Sequence, residues 1–260
     1  MSTTNNMERY FVRPDSIVRQ IWGDADVVLL IFAGSAAEFA LNRAVDWLFY
    51  TGRLPADPIG RLFSTVQYAQ AIVFADTTHA HHTVSRMSAI HAGVEKNRGY
   101  SIPDWAYRDV LYMLIDYSER AFRLLHRPLT PAEQQDLFYT FYQVGKGMNI
   151  PDLPTRYADW TIDRQKHLQQ DLEHSAYTDQ LFLRYREELG DWRYNLLRQA
   201  QALLVPQRVH HLLHLPQKPL LSYTIGLYGI LNGLGLRKWV QRALLPTEYL
   251  AQIQALDKFS

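Results

Sequence analysis

Apolar residues recur along this chain at three- and four-residue spacing, and no sustained stretch alternates apolar with polar as a half-buried strand would. The pattern predicts helices throughout. Pro14-Asp15-Ser16 opens a short helix that runs through Trp22 and closes at Gly23. Asp24 to Tyr50 is a long apolar helical region, either two helices or one bent at Gly34-Ser35. Small residues there (Ala33, Gly34, Ser35, Ala36, Ala37) leave room for close approach by a neighbouring helix or by a flat macrocycle. Gly52 to Asp57 is a loop. Asp57 can cap the next helix, and Pro58 suits its first position, where the missing N–H is not needed. Ile59, Leu62, Val66, Ala69 and Val73 share one face of that helix, and Arg61, Thr65, Tyr68 and Ile72 share another. A histidine-rich link (His79, His81, His82) leads to a second helix reaching Glu95, on which Val84, Met87, His91 and Val94 form one stripe.

Asn97 to Tyr100 reads as a turn, and Ser101-Ile102-Pro103-Asp104 starts a helix with Tyr107, Val110, Leu111, Leu114 and Ile115 on its apolar face. Thr130-Pro131-Ala132-Glu133 is a capping box with proline in the first turn, and its helix ends at Gly145. The turn Ile150 to Pro154 precedes helices over Asp159 to His174 and Leu181 to Leu204, with a short piece at Val209 to Leu213. The fold expected is an all-α single-domain bundle. Residues 1–23 would be an N-terminal arm and residues 24–260 the domain. No Gly-x-Gly-x-x-Gly or P-loop occurs, so a nucleotide-binding α/β fold does not fit.

Composition narrows the chemistry. The 260 residues suffice for a well-buried core, and a net charge of +1 gives no broad pull toward nucleic acid. Cysteine is absent, which excludes disulfides, iron–sulfur clusters, thiolate-ligated heme and cysteine nucleophiles. The polar segment Met1 to Arg9 lacks the apolar core of a signal peptide, so a cytoplasmic location is expected. Pro219 to Leu236 is uncharged but punctuated by five residues, Gly226, Gly229, Asn232, Gly233 and Gly235. It reads as a buried core helix, with peripheral membrane contact as the lesser alternative.

The stretch from Asp57 to Glu95 carries a resemblance. Asp57-Pro58-x-Gly60-Arg61 with Thr65 four residues on, then Arg86 and Ile90-His91-x-x-Val94 about 30 residues past Arg61, is similar to the latex-clearing-protein and mycophenolic-acid-pathway oxygenase superfamily. The likeness extends to Arg127 to Glu133 and to Ile150 to Pro154. It implies a globin-like helical core that binds heme b, with His91 as the proximal iron ligand. It also implies Arg61, Thr65, Arg86 and Met87 beside the cofactor, and O2 on the opposite side near Arg61, Ser64 and Thr65. Asp46 or Glu38 would serve as a distal acid. Two positions depart from the family. Ser64 stands where latex-clearing proteins commonly carry lysine, and Asp109-Val110-Leu111 stands where many relatives have Trp-Val-His. Both departures argue for a substrate other than polyisoprene.

The expected activity is therefore a heme-dependent oxygenase acting on an apolar, unsaturated or aromatic small molecule. The alternatives are a peroxidase-like or rearranging heme enzyme, and a non-catalytic heme- or lipid-binding protein. His79, His81 and His82, or His210 and His214, could form a histidine metal site without porphyrin, but exposed or capping histidines are the blander and favoured reading.

Overall fold

Local capping rules set most helix boundaries in the computed structural model. It describes residues 9–50, 58–223, 255 and 257, without the side chains of Leu48, Tyr50, Pro58, Arg61 and Leu62. The helices are α1 (Ile17–Gly23), α2 (Ala25–Phe39), α3 (Asp46–Tyr50), α4 (Pro58–Val73) and α5 (Thr77–Arg98). They continue as α6 (Asp104–Leu125), α7 (Pro131–Gly147), α8 (Tyr157–Gln170), α9 (Ala176–Leu204) and α10 (Gln207–Leu212). The Ser16 hydroxyl accepts the Val18 N–H at the start of α1. The Thr130/Glu133 capping box opens α7, with Arg127 forked onto the Glu133 carboxylate at 2.7 and 2.8 Å. Gly99, with φ of 78°, ends α5 in the left-handed conformation that glycine adopts without strain. Extended pairing among the described residues is confined to single bridges, Tyr10 with Asp76 and Asn42 with Leu172. The all-α bundle read from the sequence is the fold found.

The core is built around α2. Val27, Val28, Ile31, Ala36 and Ala37 are buried on it, and α1, α4, α6 and α9 all pack against it. α2 runs unbroken through Gly34 and Ser35. The small residues admit a helix: the Tyr117 ring of α6 lies over Gly34, where a Cβ would come within 2.3 Å of Tyr117 Cδ1. That ring is held in place, because its hydroxyl donates to Glu38 Oε2 at 2.8 Å. Gly34→Ala should therefore destabilise the fold by about 1–3 kcal/mol, measured by urea denaturation. An unchanged midpoint would mean that Tyr117 can swing aside.

Three local readings are corrected by the packing. α1 belongs to the core rather than to an arm: Ile17, Val18, Ile21 and Trp22 are buried, and the helix packs on α2, α4 and α7. Four apolar side chains at helical spacing are covered only by burying that face. The break between α4 and α5 falls before the histidines, because the Asp76 carboxylate accepts the His79 N–H and starts α5 there. His79, His81 and His82 lie exposed in its first turns. α8 stops at Gln170 instead of reaching His174, since the backbone of residues 171–173 pairs with residues 41–43: Arg43 N–H donates to Asp171 O and Glu173 N–H to Leu41 O. Within α9 the helix is interrupted at Gly190, whose φ of 73° and ψ of 162° are a glycine conformation.

Candidate functional site

α5 is unevenly seated. Ala80 and Val84 are its buried residues, and Val84 is admitted by Gly147 at the end of α7, where a Cβ would meet Val84 Cγ1 at 2.8 Å. Further along, Met87, His91 and Val94 are only half-buried and Ile90 is 46% exposed. The stripe seen in the sequence thus carries His91 on apolar surface that the described residues cover in part.

The His91 ring meets Tyr107 of α6 edge-on, with centroids 5.3 Å apart and planes at 86°. One turn along α5, Glu95 Oε1 accepts the Tyr107 hydroxyl at 3.2 Å and the Ile102 N–H at 2.7 Å. Burial and the adjacent Glu95 carboxylate push the Tyr107 phenol up, so it stays protonated and donates. At the last turn, Arg98 ion-pairs with Asp46 of α3 at 2.6 Å and lies over the Trp47 ring at 4.0 Å. Asp46 of α3 is therefore tied to the last turn of α5, two turns beyond His91.

The other residues expected at the site fall as follows. α4 packs against α5 beyond a link at residues 74–76, so the first turns of α4 and the last of α5 share one end of the hairpin. Ser64 and Thr65 are exposed there, and the Ser64 hydroxyl donates to Gly60 O at 3.0 Å. The Arg61 side chain, Asp57, and residues 224–236 of the uncharged stretch lie outside the described residues. Arg86 is exposed, on a different face from His91. Glu38 is elsewhere: it is fully buried, and both its oxygens bind Arg164, at 2.5 and 2.6 Å. Its carboxylate is thus committed to an ion pair in the bundle interior, whereas Asp46 pairs with Arg98 at the end of α5.

Glu38 is the centre of a buried cluster that local spacing did not reveal. Arg164 of α8 also contacts Asp116 of α6 at 3.0 and 3.1 Å, and Arg120 reaches Asp116 at 2.6 Å. Burial alone would raise the Asp116 carboxyl, but the two guanidiniums outweigh it and hold it below the usual range. Burial opposes the Arg164 charge, yet Glu38 and Asp116 push its pKa up. Asp109 has no such partner. Arg164 is 3.8 Å away and His167 3.6 Å, and the Asn42 amide is its hydrogen-bond donor. Burial, reinforced by Glu38, pushes the Asp109 carboxyl up to about 8. Burial lowers His167 against the pull of Asp171, 2.7 Å from its Nδ1. So α6 does not present the expected purely apolar face; Val110 turns outward, 37% exposed, and Asp109 and Asp116 turn in.

Among the described residues there is no group of three or more His, Asp or Glu side chains able to hold a metal ion. His79 instead pairs with Asp76 at 2.7 Å. His91, half-buried on an apolar stripe, has surroundings compatible with a flat macrocycle that brings its own donors. Among the described residues no helix is long and apolar enough to cross a membrane.

The described residues define an all-helical bundle with one half-buried histidine in the C-terminal half of α5. The chain belongs to the family described as ER-bound oxygenase mpaB/B'/rubber oxygenase, catalytic domain, which it matches over residues 19–243. Neither a curated protein nor a solved structure matches it.

Proposed function

We propose that this oxygenase-family chain is a heme b-dependent oxygenase for an apolar, unsaturated or aromatic small molecule, with His91 as the iron ligand. The observation that carries the reading is the His91 ring, half-buried on the α5 stripe and braced by Tyr107, within a chain matched to the oxygenase family over residues 19–243. Heme b, when bound, supplies an iron at which O2 is activated. The chain's own residues do the rest. His91 offers an imidazole nitrogen. Met87, Val94 and Tyr107 supply apolar surface that keeps water from that side. Asp46, held through Oδ2 by Arg98, is the acid–base group at this end of α5. Thr65 offers a hydroxyl on α4, with Arg61 a turn before it, and Ser64 brings no cation where lysine is common in relatives.

The test is reconstitution of the purified protein with hemin. An intense Soret band is expected, and His91→Ala should abolish tight hemin binding. A protein that stays colourless with hemin supplied would overturn the proposal. Label from 18O2 in the product separates oxygenation from a peroxidase-like or rearranging reaction.

A further inference from the structure

We infer that Tyr107 is the positioning residue for His91, with Glu95 fixing Tyr107 in turn; this rests on the heme reading above. A histidine χ2 torsion is broad, and a half-buried position leaves it under-determined by packing alone. A ligand imidazole has to present one nitrogen along one direction, so something must select the ring's rotation. The edge-on contact at 5.3 Å and 86° makes Tyr107 the aromatic neighbour that blocks rotation on its side. Tyr107 is itself fixed at both ends. Its backbone lies in the first turn of α6, and its hydroxyl is bound by Glu95, one helical turn from His91 on the same face. The Ile102 N–H holds the same carboxylate oxygen at 2.7 Å, so the turn between α5 and α6 closes a brace: His91, Tyr107, Glu95, Ile102.

The test uses the full chain with hemin and reads three quantities: the optical and EPR spectra of the ferric complex, the rate of hemin transfer to excess apomyoglobin, and the urea midpoint. Tyr107→Leu should bind hemin but release it faster, on the order of tenfold, with a changed spin-state spectrum. Tyr107→Phe keeps the ring and should restore the wild-type spectrum, with a release rate between the two. Glu95→Gln should resemble Tyr107→Phe. If His91→Ala loses hemin but Tyr107→Leu matches wild type in spectrum and release rate, the positioning role is wrong and the heme reading stands. If His91→Ala binds hemin as wild type does, both fail. Should Tyr107→Leu not fold, unchanged release from both Tyr107→Phe and Glu95→Gln overturns the inference.

Discussion

Arg164→Ala should cost about 3–5 kcal/mol of stability, because it strands buried carboxylates without their guanidinium. Arg164 is 2% exposed at its side chain, Glu38 0% and Asp116 12%, so water cannot replace the lost partner. The loss should exceed that from a large-to-small change at an exposed position several-fold. Arg120 would still neutralise part of the Asp116 charge, so Glu38 carries most of the penalty. Combining Arg164→Met with Glu38→Gln should recover part of the loss, since a neutral pair of similar volume removes both charges at once and leaves Asp116 to Arg120. Urea denaturation of the single and double variants checks this. A single-variant loss below about 1 kcal/mol would show that the cluster does not carry the bundle.

Asp109→Asn should leave stability nearly unchanged near pH 4 and make the protein progressively more stable than wild type up to about pH 8, with Asp109 titrating at about 8 in the folded chain. The sign follows from linkage. The folded-state value lies above the ordinary carboxyl value, so the contribution of this group is fully present below the unfolded pKa near 4. It is lost as pH rises through about 8, when the buried carboxyl must ionise beside Glu38. Asparagine mimics the neutral acid and does not ionise. The groups facing Asp109 are Glu38 and Asn42 from the α2 side, Arg164, His167 and Asp171 from α8 and its end, and Tyr112 on α6 itself. The expected gain at high pH is on the order of a few kcal/mol. Stability curves for the two proteins from pH 5 to 9 that run parallel would refute it. Asp116 works in the opposite direction, since its depressed pKa gives stability that is lost in acid, so the comparison must be made as a difference between variants.

Signals carried by adjacent residues were legible in the sequence. Ser16, the Thr130 and Glu133 pair and Gly99 mark their helix ends, because a cap acts on backbone groups within three or four positions. The stripe Val84, Met87, His91, Val94 was legible for the same reason: helical periodicity is local. The Glu38–Arg164 pair was not, because 126 residues separate its members and neither has a partner at helical spacing that would announce it. Reading Tyr107 to Ile115 as an apolar face failed where Asp109 and Asp116 turn inward, since only the position of α8 makes their burial tolerable. The histidine-rich segment lies in the first turns of α5, and its signal in the sequence is Asp76, whose carboxylate accepts the His79 N–H. Tyr107 was assigned to a core face, and its contact with His91 depends on how α6 turns back after Gly99.

The seating of α5 has a mechanical consequence. Its root is clamped: Ala80 and Val84 are buried, and the elbow before it is stitched to the N-terminal segment, where Phe11 N–H donates to Ala75 O and Thr77 N–H to Arg9 O. Its far half is tied mainly by polar clips, Glu95 to Tyr107 and Ile102, and Arg98 to Asp46. A beam fixed at one end deflects most toward the other, so among the described residues His91 rides where a small tilt disturbs little packing. A flat guest could be gripped by such a cantilever at the cost of bending a few hydrogen bonds, while the bundle interior stays as it is.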